Sequence, residues 1–184
     1  MARYKKLDLD DLLDAAYEVI ISKGAHALSI GNVAKAAGVT KGGIQSNFGT
    51  KEALIDALFE RWSDDLEAET SELQSSETEP SDPLSLFLLA TRKLHSRKPR
   101  QNAAMMFLMS QNVEHREAAR NWIAEKIDRF NLSGEQARQA RLRFIVLESL
   151  ITMQSMELTT FDSMEWEEIF EDVERLFSVE APAR

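Results

Sequence analysis

The chain has 184 residues, enough to bury a core in one or two small domains without disulfide or metal staples. Apolar residues make up 43% and charged residues 29%, as in ordinary globular chains, and the lack of cysteine excludes a disulfide framework, a thiolate metal site and a cysteine nucleophile. The net charge of −9 argues against nucleic acid only until it is resolved along the chain: residues 1–51 hold seven basic and five acidic side chains, so the acidic excess lies wholly beyond them.

Met1 to Lys6 is charged, but no apolar run follows it, so a secretory leader is not expected. No stretch approaches the roughly 18 apolar residues of a membrane span. The expectation is a cytoplasmic chain with no membrane partner.

Apolar positions recur at three and four, and no alternating strand pattern persists. Asp8 caps a first helix with Leu9, Leu12, Leu13, Ala16, Tyr17, Ile20 and Ile21 on one face, and Gly24 stops it. Ser29 caps a short second helix carrying Ile30, Val33, Ala34 and Ala37, broken at Gly38. Thr40 caps a third, with Ile44 and Phe48 four apart on its inner face and Gly49 at its end. Thr50-Lys51-Glu52 opens a longer helix with Leu54, Ile55, Leu58, Phe59, Trp62 and Leu66 inside, running to about Gln74 as it decays into a Ser, Thr and Glu-rich stretch; Gln74 to Pro83 is the best loop. Helices are then expected over Leu84–Ser96, Gln101–Asn112 and Glu114–Phe130. Ser133 with Gln136 forms a capping-box pattern for a helix to about Glu157, and Asp162 with Glu165 opens a last one to Phe177. The count is about nine helices, an all-α fold with no internal repeat. The expected division is a head over 1–50, a connecting helix and acidic linker over 51–83, and a body over 84–184.

Ser29 to Phe48 has the layout of a helix-turn-helix, two short helices joined by a tight Gly-containing turn. Such a pair places its second helix in the major groove. The outer face of that helix offers Lys41, Gln45, Ser46 and Asn47; amides bond adenine bidentately, and Lys reaches guanine or phosphate. Ser29, Thr40 and Lys51 stand at helix starts, where backbone N–H groups suit a phosphate. Ala-rich helix pairs also serve as plain packing units. Gly42 and Gly43 tilt the reading toward DNA: each costs a helix interior roughly 1 kcal/mol against Ala, which makes sense where backbone must approach backbone.

Residues 12–59 resemble the DNA-binding head of TetR/AcrR-family regulators. The resemblance is carried by Leu13 to Tyr17, Lys23-Gly24, the run from Ser29 to Gly42, and Phe48 to Leu54, all in one register. It implies a homodimer with two heads, a C-terminal effector pocket and, usually, repression. Three positions depart from the family pattern: Gly43 stands where Thr or Ala is usual, Gln45 where Tyr is typical, and Asn47 where an aromatic or His is typical. The operator therefore cannot be borrowed from relatives. Arg3, Lys5 and Lys6 form a basic arm, readable either as a minor-groove contact or as a solvated terminus.

In the family the last two long helices pair across a two-fold axis. The resemblance thus makes Leu142, Ile145, Val146, Ser149, Leu150, Ile169, Val173 and Leu176 the candidate dimer interface; the alternative is packing within one subunit. A two-fold dimer implies a palindromic double-stranded operator with half-sites roughly 34–36 Å apart. Candidate effector-binding residues are Trp62, Met105, Met106, Met109, Trp122, Met153 and Met156, because flexible, polarisable methionine suits an apolar pocket, although such stripes also serve as plain core. Glu148 or Glu157 facing that pocket would favour a cationic apolar ligand; a solvated glutamate is the alternative.

Catalysis is not expected, and no metal or cofactor. His26, His95 and His115 are far apart, with no His-x-x-x-His pair, Gly-rich phosphate loop or nucleophile elbow. The effector, the operator, the target genes and the choice between repression and activation lie beyond the sequence.

Overall fold

A computed structural model of the chain describes residues 8–75, 83–111, 113–128 and 133–178. These form nine α-helices and one 3-10 turn, with no strand among them. In order they are α1 (Leu9–Lys23), the turn Ala25–Ala27, α2 (Ile30–Ala37), α3 (Lys41–Phe48), α4 (Lys51–Gln74), α5 (Pro83–Arg97), α6 (Pro99–Gln111), α7 (Val113–Asp128), α8 (Gly134–Ser155) and α9 (Ser163–Ser178). The fold is all-α, as the periodicity requires. The helices form two compact units. One comprises Met1–Glu67 with Arg100–Glu117, the other Ala68–Pro99 with Ala118–Arg184.

In the first unit the N-terminal helices start and stop where their side chains dictate. The Asp11 carboxylate accepts the Asp8 N–H (3.3 Å) at the start of α1. Gly24 ends α1 at φ +84°, a conformation that favours glycine, and a Cβ there would lie 2.9 Å from the His26 ring, which would have to shift. Gly38 ends α2 in the left-handed conformation, its N–H donating to α2 carbonyls. The core joins Leu12, Leu13, Ala16, Tyr17, Val19 and Ile20 of α1 to Val33 and Ala34 of α2, Ile44 and Phe48 of α3, and Leu54, Ile55 and Leu58 of α4. Ala104, Met105 and Leu108 of α6 belong to the same cluster. Each such large aliphatic side chain contributes about 1.5–3 kcal/mol on burial. Leu9, expected on the inner face, is 50% exposed, because the first turn of α1 projects past the core that begins at Leu12.

Polar contacts fix α1 against α4. The Tyr17 hydroxyl donates to the Leu58 carbonyl (3.3 Å), and burial pushes its pKa up, so it stays a donor. Arg61 lies over the Tyr17 ring (5.9 Å), pairs with Asp14 (2.9 Å) and donates to the Asp10 carbonyl (3.2 Å).

The second unit packs α5 against α8, and α8 against α9. Its buried side chains include Leu84, Leu86, Phe87, Ala90 and Leu94 on α5, Leu147 and Ile151 on α8, and Trp166 and Phe170 on α9. The Phe87 and Phe144 rings stack at 6.4 Å, and Arg92 of α5 lies over Phe170 (4.9 Å) while pairing with Glu167 and Glu174 of α9. Asp162 and Glu165 cap α9 reciprocally: the Asp162 carboxylate accepts the Met164 and Glu165 N–H groups, and Glu165 accepts the Asp162 N–H.

Several expectations about helix ends need correction. Helix α4 does run to Gln74, as expected, but its acidic end is not wholly solvated: Glu69 is buried and pairs with Arg97 of α5 (2.8 Å). The expected Ser133–Gln136 capping box does not form. Gly134 enters α8 at φ +54°, and the Ser133 side chain makes no cap bond. Pro99 occupies the first position of α6, where its missing N–H costs nothing, so that helix begins two residues before Gln101. Most of the expected loop, residues 76–82, lies outside the described residues, as do the arm residues Arg3, Lys5 and Lys6.

Candidate nucleic-acid interface

The interface is built on α3 and the turn before it. Ser29 caps α2 by accepting the Asn32 N–H (3.2 Å), and Asn32 in turn donates to the Ala27 carbonyl (2.7 Å). Thr40 caps α3 by accepting the Gly43 N–H (3.1 Å). Thr50 repeats the device at α4, accepting the Ala53 N–H (3.1 Å). Such a cap is worth about 1 kcal/mol. Ser29 and Thr40 thus use their oxygens as acceptors, and their hydroxyl protons are what they have left for a phosphate.

Ile44 and Phe48 are buried, and this fixes which side of α3 faces out. Lys41, Gly42, Gln45, Ser46 and Asn47 are all exposed; Gly43 and Lys51 are half-buried. The nine residues read from the sequence therefore lie on α3 and at the starts of α2, α3 and α4, none of them buried. Neither glycine is required by packing within the chain. A Cβ on Gly42 would meet only the Thr40 hydroxyl at 3.9 Å, and one on Gly43 would meet Thr40 and Val39 at 3.5–4.0 Å, ordinary contacts. The side chains C-terminal to Gly43 turn back on it: Ser46 Oγ donates to its carbonyl at 2.9 Å and Asn47 Nδ2 at 2.7 Å. That bonding pattern was not legible in the sequence, although Ser and Asn three and four residues after a glycine are the residue types that form it.

The effector candidates divide between the units. In the first, Met105 is buried in the core and Trp62 and Met109 pack against that core; Met106 is half-buried. Trp62 Nε1 donates to Asn102 Oδ1 (3.2 Å), and Asn102, which sequence reasoning passed over, is buried with its Nδ2 lacking a hydrogen-bond partner. In the second unit Trp122 and Met156 are half-buried and Met153 is 37% exposed. Of the dimer candidates none is buried. Leu142, Ile145 and Leu176 are 50%, 59% and 75% exposed, Ser149 is exposed, and Val146, Leu150, Ile169 and Val173 are half-buried.

Two titratable groups of the second unit are shifted by burial. His95 bonds the Thr91 carbonyl through Nδ1 (2.7 Å), and desolvation pushes its pKa down to about 4, so the ring is neutral and Nδ1 carries the proton. Desolvation pushes the Glu148 carboxyl on α8 up to about 7. No group of three or more potential metal ligands occurs among the described residues, and no helix there is long and apolar enough to cross a membrane.

Residues 12–58 match the family described as bacterial regulatory proteins, tetR family, and residues 81–178 match the tetracyclin repressor-like C-terminal domain. Three solved structures illustrate the shared fold. The TetR family transcriptional regulator PfmR from Thermus thermophilus is 17% identical with a TM-score of 0.68, over 97% of this chain and 99% of that one. The fatty acid degradation regulator FadR from Bacillus halodurans is 19% identical with a TM-score of 0.68, over 96% and 100%. NalD, the secondary repressor of the MexAB-OprM multidrug efflux pump in Pseudomonas aeruginosa, is 23% identical with a TM-score of 0.61, over 90% and 93%. The two family matches together span most of the chain, and the helix-turn-helix geometry stands where the first requires it. The chain belongs to the TetR family of DNA-binding transcriptional regulators, and it is not an enzyme.

Proposed function

We propose that the protein is a homodimeric, effector-responsive repressor that binds a palindromic operator through α3 and leaves it when a small apolar molecule is bound. The observation that carries the DNA-reading half is the exposed surface of α3: Lys41, Gln45, Ser46 and Asn47 stand out from a helix whose Ile44 and Phe48 are locked in the core. Lys51 and the capped starts of α2 and α4 supply the phosphate contacts. Selection of bound sites from random double-stranded DNA tests this. A single palindrome with half-sites about one turn apart is expected, with affinity falling steeply as salt rises. Recovery of no preferred sequence would sink the reading.

The dimer reading is supported by the exposed apolar residues of α8 and α9. Leu142, Ile145 and Ser149 recur at helical spacing along α8, and Leu176 lies near the end of α9. Apolar patches of this kind mark interaction sites more often than they mark bare surface.

The effector reading is supported by Met105, Trp62 and Met109 in or against the core of the first unit, and by the buried Asn102 that Trp62 bonds, whose amide donor is unpaired. A ligand there would offer an acceptor to Asn102 Nδ2. The names of similar proteins, a fatty acid degradation regulator and a repressor of a multidrug efflux pump, fit an apolar effector class. Release follows only if the ligand prefers the conformation that binds DNA poorly. Titrating apolar acids, alcohols and amines against operator-bound protein, with Trp62 fluorescence as readout, tests it; a panel that never weakens binding removes the effector.

A further inference from the structure

Asn47 lies one helical turn after Gly43, and a helical side chain lies back over the turn that precedes it. Its amide Nδ2 donates to the Gly43 carbonyl at 2.7 Å, and Ser46 Oγ donates to the same carbonyl at 2.9 Å. Gly43 is tied at its other end as well, its N–H donating to Thr40. The Asn47 amide is therefore held in one orientation although the residue is exposed. An amide nitrogen carries two protons. The bond to Gly43 uses one, leaving the second beside Oδ1 on the free edge of the group. That edge, one donor and one acceptor side by side, is what the N7 and N6 positions of adenine require in the major groove. Ser46, with its proton directed to Gly43, presents only lone pairs and does not compete for N7.

Resting on the assignment of α3 as the reading helix, we propose that Asn47 is the adenine-specifying residue of each half-site, and that the Gly43 carbonyl is its positioning group. Holding the amide before DNA arrives removes the rotamer entropy that a free Asn would lose on binding.

The test uses the full-length protein and the operator it selects. Scanning each adenine with 7-deaza-adenine (no N7 acceptor) and with purine (no N6 amino group) should find one position per half-site where both analogues weaken wild-type binding by about tenfold. N47A and N47D should lose preference for adenine at that position and become indifferent to 7-deaza-adenine there, with melting midpoints close to wild type. In the free protein one of the two Asn47 side-chain amide protons should exchange with solvent measurably more slowly than the other in a nitrogen–proton NMR spectrum. A position sensitive to the amino group but not to N7 overturns the bidentate contact. N47A that keeps the wild-type base preference overturns the assignment of Asn47. Equally fast exchange of the two amide protons overturns the role of Gly43. If the wild type selects no operator at all, the reading of α3 fails, and this inference with it.

Discussion

The two units use their polar side chains in different ways. In the first, Ser29, Thr40 and Thr50 cap the helices they precede and Tyr17 bonds the Leu58 carbonyl, while the buried polar residue there, Asn102, is uncharged. In the second, charged or titratable groups sit inside or half inside: Glu69 is buried against Arg97, His95 is buried and neutral, and Glu148 has its pKa raised. The second also leaves Leu142, Ile145 and Leu176 in water. A unit that must present one rigid helix to a partner gains from local, self-contained caps. One that keeps exposed apolar stripes and desolvated carboxyls is poised for further contacts, and its stability depends on conditions.

Five single substitutions, with one compensating change, would test that contrast. The largest effect is expected from Ile44→Ala. Ile44 is fully buried, and the cavity should cost about 2–5 kcal/mol in a denaturant titration and take α3 out of register for DNA. Next, Arg97→Ala should cost about 2–3 kcal/mol by leaving the Glu69 carboxylate buried and unpaired, with water around the half-exposed Arg97 site softening the loss. Adding Glu69→Gln to that variant should recover most of it; no recovery would mean the pair does not matter as a charge.

Glu148→Gln should be felt through pH. With its folded pKa near 7 and an ordinary carboxyl value when unfolded, Glu148 keeps a proton that the unfolded chain has lost, so stability falls as pH rises from about 4.5 to 7. The glutamine variant should gain about 1–2 kcal/mol over wild type at pH 8 and nothing at pH 4. His95 works the other way. Its folded pKa near 4 lies below the unfolded value, so its contribution is lost as pH falls from about 6.5 to 4. Thr40→Ala should cost about 1 kcal/mol through the lost cap. The smallest effect on a single chain is expected for Leu142→Ser, within about 0.5 kcal/mol, because that side chain is already half in water. Sedimentation should nevertheless show a weakened dimer; an unchanged dimer would move the interface elsewhere.

The caps at Ser29, Thr40 and Asp162 and the stops at Gly24 and Gly38 were legible because each is a bond or a dihedral decided within a few residues. Most of what escaped the sequence was decided at a distance. Glu69 reads as solvated until Arg97, 28 residues on, reaches it. Asn102 reads as a surface residue until Trp62, 40 residues before it, supplies its donor. Ser133 carries the letters of a capping box, but the positive φ of Gly134 turns the backbone away from it. At the site, the identity of the outward residues of α3 was readable from the apolar spacing of Ile44 and Phe48, whereas the two hydrogen bonds accepted by the Gly43 carbonyl depend on side-chain rotamers that the sequence does not fix.

The core that supports α3 is closed by Ala104, Met105 and Leu108, more than forty residues beyond the last of its α4 members, Leu58. A reading head in this protein is thus not a cassette that can be cut out at one point of the gene. A chain ended after α4, or a chimaera joined there to another body, would carry the α1–α4 side of that core with an open apolar face unless its new neighbour happened to cover it. Exchange of binding specificity between such proteins should therefore proceed by changing the outward residues of α3, which leave the core untouched, and not by trading whole heads.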